Sequence, residues 1–186
     1  MKKLEDYIKV FDGVLTNELC DSLLKEFSGE DEWSKTVIVN GDVNDKVRAA
    51  ETIILSYPHV IERNQEIRSA IDKQLFTSAA AVIKQYNENF SNCCIQEDSG
   101  YELLRYKEGQ FYVQHTDSFR ERPRAVSCSF AINDDYEGGE WGFWDREKVV
   151  KLKKGSAILF PSNFMYPHEI MPVTKGVRHS VVTWFI

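Results

Sequence analysis

The segment Tyr101–Asp117, YELLRYKEGQFYVQHTD, contains two short β-rich runs separated by the turn-forming group Lys107-Glu108-Gly109. The same texture continues downstream in AVSCSFAIN, GEWGFW, KVVKL, SAILF, HEIMPV and HSVVTWFI. Asn-Asp-Asp, Glu-Gly-Gly, Lys-Lys-Gly and Thr-Lys-Gly turns punctuate these runs. Short strands at this spacing predict a sandwich or jelly-roll barrel rather than a parallel sheet with helical crossovers. The second run ends on two groups able to bind a metal. His115 and Asp117 have the same parity, so at the end of a strand both side chains point to one side, into the mouth of a barrel.

Upstream the texture differs. Thr16 is placed to cap a helix over NELCDSLLKEF, with Leu19, Leu23, Leu24 and Phe27 on one face. EWSKTVIVNG reads as a short strand ending at an Asn-Gly turn. After Pro58, the positions Ile67, Ile71, Leu75, Ala79, Val82, Ile83, Tyr86 and Phe90 recur every three or four residues. They predict a helix, or two in tandem, from about Ile61 to Phe90 with its apolar stripe on the core. No repeat, low-complexity tract or linker interrupts the chain. The expectation is one domain over 1–186, with a mainly helical support over 1–94 packed outside a jelly-roll core over 95–186. In class terms it is α+β.

Composition narrows the function. The 186 residues carry 42% hydrophobic and 28% charged side chains, an ordinary globular balance. The net charge of −6 removes the usual electrostatic argument for a nucleic-acid partner. Cys20, Cys93, Cys94 and Cys128 include no Cys-x-x-Cys pair, which points to reduced thiols and a cytoplasmic setting rather than a zinc ribbon or disulfide scaffold. No apolar run is long enough for a signal peptide or a membrane span, so no membrane partner is expected.

His168, which opens a late strand after FPSNFMYP, is the best candidate for a third ligand. Two imidazoles and one carboxylate on one face of an octahedron leave the other face open, which suits Fe(II) and a chelating cosubstrate. Arg178 and Ser180 also share parity. Both should face inward while His179 faces out, and a guanidinium fork with a hydroxyl is suited to gripping a carboxylate.

The blocks YKEGQFYVQHTD, SFAINDDYEGGEWGFW, KKGSAILFP and HEIMPVTKGVRHSVVTWF closely resemble the Fe(II)- and 2-oxoglutarate-dependent oxygenases of the prolyl 4-hydroxylase type. The resemblance covers roughly Tyr101 to Ile186 and implies a double-stranded β-helix (cupin-like) core. It makes His115, Asp117 and His168 the catalytic iron ligands and Arg178, helped by Ser180, the partner of the distal carboxylate of 2-oxoglutarate. Tyr106 matches a tyrosine that in some relatives points at the cosubstrate, and Tyr112 one that supports the site. One departure stands out: relatives that sense hypoxia carry a further carboxylate-binding tyrosine where this chain has Ala131, so that contact is either absent or supplied by Ser127 or Ser129. The implied reaction is hydroxylation of a prolyl residue in a peptide or protein, using O2 and ascorbate as reductant, with 2-oxoglutarate oxidatively decarboxylated to succinate and CO2.

Rival readings remain at this stage. The same machinery could act on a free amino acid, a small metabolite or a nucleobase, or the fold could be a non-catalytic binding module. A halogenase is disfavoured because Asp117 occupies the position a halide would need. Trp141, Phe143 and Trp144 are either core or the substrate-facing wall, with Trp141 and Phe143 on one side of their strand and Trp144 on the other; Trp144, Tyr112 and Arg122 are the candidate substrate contacts. The cluster Arg120, Arg122 and Arg124 is either a solvated loop or a capture site for an acidic or peptide partner. Gly138-Gly139 reads as a tight turn rather than a phosphate cradle, and His59 as a solvated turn residue. The polar segment Ile38–Thr52 reads as a surface loop or one that closes over substrate.

Overall fold

Thr16 starts the first helix as its position predicts: its Oγ1 accepts the Leu19 backbone N–H at 3.2 Å, satisfying a donor that the helix itself leaves free. The computed structural model describes residues 2–29, 31–38, 41–56, 64–90, 95 and 97–186. In chain order the first half contains β1 (Lys9–Phe11), α1 (Asn17–Glu26), β2 (Ser34–Lys35), β3 (Arg48–Ala49), β4 (Glu51–Ile54) and α2 (Gln65–Asn89). Next come β5 (Glu102–Tyr106), β6 (Phe111–His115), β7 (Val126–Ala131), β8 (Glu137–Gly138) and β9 (Trp141–Phe143). The chain closes with β10 (Lys148–Val150), β11 (Ala157–Pro161), β12 (His168–Ile170), β13 (Val173–Lys175) and β14 (Arg178–Phe185).

Among these residues a larger sheet runs β1-β11-β7-β14-β5-β4-β2 and a smaller one β10-β9-β12-β6-β3, while β8 and β13 pair separately. The pairings in both sheets are antiparallel. Strand parity divides the larger sheet into two faces. Val126, Cys128 and Phe130 on β7, Val181 and Phe185 on β14, and Leu103 on β5 join one cluster with Leu19, Leu23, Leu75, Ala79, Val82 and Tyr86 of the helices. Their neighbours Leu104, Ala131, Ile158, Phe160 and Val182 face the other way and meet Trp141, Phe143 and Ile170 of the smaller sheet. This is a double-stranded β-helix with helices on the outside. It explains why all six residues of β7 are buried: both faces are covered.

Three expectations need correction. The first half is less helical than its pattern suggests. β1, β2 and β4 extend the larger sheet and β3 the smaller, so Arg48, Ala49 and Glu51–Ile54 are paired strand rather than loop. HEIMPV is not one strand; it divides into β12 and β13 around Met171-Pro172, where proline lacks the N–H a ladder needs. Ile67 is 50% exposed, and its neighbour Arg68 takes the buried position, its Nε 3.1 Å from Glu26 and its Nη2 2.6 Å from Glu32. A buried guanidinium with two carboxylates substitutes for an apolar residue there, which hydrophobic periodicity does not register. The long helix is single, from Gln65 to Asn89. Pro58, His59, Asn40, Cys93 and Cys94 lie outside the described residues, and Cys20 and Cys128 are free, buried thiols.

Thr16→Ala should lower unfolding stability by about 1 kcal/mol, the usual value of a helix N-cap. Urea denaturation followed by far-UV circular dichroism measures it, with an unchanged slope as the sign that only the cap was lost.

Candidate active site

β6 and β12 lie side by side with His115 directly opposite His168. Both imidazoles are aimed by the backbone. His115 Nδ1 stands 2.9 Å from the Val113 carbonyl and His168 Nδ1 3.0 Å from that of Tyr166. A proton held at Nδ1 leaves the Nε2 lone pair free, the form a metal ligand requires. Asp117 follows β6 by two residues and stands between the rings, its Oδ1 3.4 Å from His115 Nε2 and its Oδ2 3.5 Å from His168 Nε2. All three ligand atoms fall within 4.8 Å of one another. Neighbouring ligands about 2.1 Å from a shared ion stand about 3 Å apart, so this spacing is close to that of an occupied centre. Two neutral imidazoles and a carboxylate form the donor set of a non-haem Fe(II) site with an open face.

Burial sets the charge state of His168. Its ring is enclosed by Phe160 at 4.7 Å, Trp141 at 5.5 Å and Phe143 at 5.9 Å between centroids. Desolvation lowers its pKa to about 4 against the pull of Asp117, so it is neutral and ready to ligate at neutral pH. For Asp117, burial acts to raise the pKa. The two imidazoles and the Ser127 hydroxyl outweigh it and hold the carboxyl well below the usual range. Ser127 Oγ donates to Asp117 Oδ2 at 2.6 Å and lies 2.8 Å from Ser162 Oγ, while the Asp117 and Ser118 N–H groups both donate to the Ser162 carbonyl. The metal-binding turn is thereby tied to β7 and to the residue after β11.

A cavity of about 230 Å³ opens over this face, lined by the triad and by Arg178, Ser180, Ser129, Tyr106 and Trp141 among others. Arg178 is buried, and its Nη1 donates to Ser180 Oγ at 2.9 Å. Arg178 Nε, Ser129 Oγ and Trp141 Nε1 are sealed from solvent without a hydrogen-bond partner. Buried polar groups are nearly always satisfied, so a convergent set of unpaired donors calls for an oxygen-rich ligand. A dicarboxylate with one end at the triad and the other at Arg178 meets that need. Gly139 keeps the clamp in place: at φ +66 it is open to glycine, and a Cβ there would stand 2.9 Å from Arg178 Cδ and 3.1 Å from Val173 Cγ2.

Residues 101–186 match the sequence model of the 2OG-Fe(II) oxygenase superfamily. That region, a little under half of the chain, is similar to the superfamily. Among curated relatives, a PKHD-type hydroxylase of Alteromonas mediterranea is 38% identical over 94 residues, covering 43% of this chain and 40% of its own. One from Picosynechococcus is 31% identical over 137 residues, covering 69% and 61% respectively. The chain thus spans about half the length of the curated relatives it matches. In three dimensions it is similar to a Trichoplax adhaerens prolyl hydroxylase in complex with a hypoxia inducible factor peptide fragment. The TM-score is 0.79 at 17% identity, over 97% of this chain and 83% of the other. A Pseudomonas putida prolyl-4-hydroxylase gives 0.70 at 18% identity, over 96% and 91%. The superfamily's Fe(II) and 2-oxoglutarate fit the donor set and the unpaired Arg178 described above.

The other expected site residues are distributed unevenly around the candidate site. Tyr106, Tyr112, Arg122 and Arg124 line the cavity. Tyr112 stacks on His115 with ring centroids 3.5 Å apart, and Tyr106 lies 5.3 Å from the Arg178 guanidinium. Trp144 is outside the lining. Its indole Nε1 donates to the Met165 carbonyl at 2.8 Å and its ring packs on Phe143 and Tyr166. The indoles that do line the cavity are Trp141 and Trp184. His179 lies on the opposite face of β14 from Arg178, 6.1 Å from the Trp33 ring, with burial lowering its pKa to about 4. Ala131 leaves its place in the lining to Ser127 and Ser129. Arg48 and Thr52 also line the cavity, and sequence reasoning did not single them out. The available signal was the β-branched run Thr52-Ile53-Ile54, which marks a strand.

Ser127→Ala removes the hydroxyl that orients Asp117 and should weaken Fe(II) affinity roughly 10–100-fold, as losses of such supporting partners do. Metal titration of the apoprotein measures it. Gly139→Ala should weaken 2-oxoglutarate binding while leaving metal affinity intact, because the added methyl group displaces Arg178 rather than the triad.

Proposed function

We propose that the protein is an Fe(II)- and 2-oxoglutarate-dependent dioxygenase that hydroxylates a prolyl residue in a peptide or protein, with release of succinate and CO2. The observation that carries this reading is the His115–Asp117–His168 triad sharing one cavity with a buried, carboxylate-free Arg178. Support for the prolyl substrate comes from the hydroxylase relatives and from the peptide complex of the Trichoplax protein. In this reading the whole chain acts as one catalytic unit in the cytoplasm, with ascorbate as reductant. Among the described residues no helix is long and apolar enough to cross a membrane.

Each residue has a defined task. Bound Fe(II) with 2-oxoglutarate supplies the oxidising chemistry. His115, His168 and Asp117 would hold the metal. Arg178 and Ser180 would take the distal carboxylate of 2-oxoglutarate, with Ser129 and Trp141 offering further donors to the same ligand. Phe143, Phe160 and Trp141 exclude water around His168, which keeps its ring neutral. Tyr112, Arg122 and Trp184, on the cavity lining, would meet the substrate.

His115→Ala or Asp117→Ala should abolish Fe(II)-dependent succinate release in the presence of ascorbate. Arg178→Ala should instead raise the 2-oxoglutarate concentration required, and an unchanged requirement would refute the clamp. Proline-containing peptides should stimulate turnover over their alanine counterparts; equal stimulation by both would sink the prolyl assignment while leaving the oxygenase class standing.

A further inference from the structure

We propose that Arg48 makes the mouth of this site selective for a substrate bearing a carboxylate near the carbon to be oxidised, so that an acidic peptide is taken in preference to a neutral or basic one. The proposal rests on the hydroxylase reading above. It begins from where the chain places its carboxylates. The arginines that serve structure have them: Arg68 pairs with Glu26 and Glu32, Arg105 with Glu51, and Arg146 with Glu169. Among the described residues, four arginines line the cavity and have none; Arg122 is exposed, in the turn bridged to Phe119, which leaves three held in the wall: Arg178, Arg124 and Arg48.

Two of those three are accounted for. Arg178 faces the cosubstrate. Arg124 is already committed to the fold, with its guanidinium 3.5 Å above the Trp184 ring and its Nη1 donating to the Asp117 carbonyl at 3.2 Å. Arg48 is different. It donates weakly from Nη1 to the Val37 carbonyl at 3.4 Å and lies near the Tyr106 side chain, while its Nε is sealed from water with no partner. A guanidinium has five donors in a fixed fork that matches a carboxylate, and leaving one buried donor idle is unfavourable until a ligand takes it.

Position argues for the substrate rather than the keto acid. Arg48 lies opposite Tyr112 in the β3–β6 pair, with its guanidinium 4.7 Å from the Tyr112 ring, and that ring stacks on His115 at 3.5 Å. The charge therefore stands one phenol away from a metal ligand. Thr36, Val37, Ile38 and Gly41, the last largely exposed, line the cavity on the same side as Arg48. Tyr106 lies by both cations, its ring 5.3 Å from the Arg178 guanidinium and its side chain near Arg48. Among the described residues Glu102 is the one lining carboxylate apart from the metal ligand Asp117. It acts on Arg48 electrostatically without closing an ion pair, and four lining arginines against two carboxylates leave the mouth net positive on a chain whose overall charge is −6. A substrate carboxylate would pair with Nε and Nη of Arg48, and the face of the substrate beside it would lie over Tyr112 and the open side of the metal.

The test measures binding by fluorescence anisotropy to the anaerobic protein loaded with Fe(II) and 2-oxoglutarate. The probes are labelled peptides with one proline flanked by Glu, Gln or Lys, each with an alanine-for-proline control. The Glu peptide should bind at least tenfold more tightly than the Gln peptide. Arg48→Met should erase that difference and Arg48→Glu should shift the preference to the Lys peptide, with 2-oxoglutarate affinity unchanged in both variants as the evidence that the site is intact. Equal binding of the three proline peptides, or loss of 2-oxoglutarate affinity in place of peptide affinity, overturns the proposal. If acidic peptides bind through Arg48 with or without proline, the charge selection stands and the prolyl reading falls. If all three proline peptides bind equally but more tightly than their alanine controls, the prolyl reading stands and the charge selection falls. If no peptide binds, both fall.

Discussion

The antiparallel register of β12 against β6 is the constraint on which the rest of this site depends. It sets His168 opposite His115, and a slip of one residue would turn one imidazole away from the cavity. The register is pinned from both sides, because β12 also pairs with β9, where Phe143 stands opposite the same histidine. Phe143 is fully buried and walls the ring it is paired with. Three residues of strand thus position a ligand, the Tyr166 carbonyl two positions before it orients the ring, and aromatic side chains of β9 and β11 keep water away.

The third ligand comes from between the sheets rather than from either one. Asp117 leaves the end of β6 in the smaller sheet and is fastened to Ser127 in the larger. The candidate metal centre is therefore a joint as well as a site. An ion bound there would tie β6, β12 and, through Ser127, β7. The same two sheets supply the cavity's donors, with Arg178, Ser180 and Ser129 from the larger sheet and Trp141 from the smaller.

Arg178 with Ser180 could be assigned to one face because β14, covered on one face by the cavity and on the other by helices, keeps strict parity. His115 with Asp117 also reach the cavity together, but β6 is less regular: Tyr112, of the opposite parity, lines the same cavity, and the register against β12 shifts between His168 and Ile170. The first half was harder to read. β2 and β3 are two residues each and owe their strand form to β4 and β6, so their own pattern holds too little signal. Arg48 lies in such a strand and looked like one more charge in a polar loop. Arg68 misled for a related reason, since a guanidinium satisfied by Glu26 and Glu32 fills a core position that periodicity reserves for Ile67. Trp144 follows parity correctly onto the face away from the cavity, and its φ of +50 starts the turn that continues through Asp145 and Arg146.

The idle donors on Arg178, Ser129 and Trp141 also bear on how long the folded chain lasts. Each buried group without a partner costs about 1–3 kcal/mol, a substantial fraction of the stability of a domain this size. A ligand that engages them only in the native state shifts the folding balance by mass action, in proportion to the logarithm of its concentration. In a cell, unfolded chains are the ones proteases remove. Under the proposed function, the steady-state amount of this protein would then rise and fall with the supply of 2-oxoglutarate, and a shortage of that metabolite would thin the protein population as well as slow its turnover.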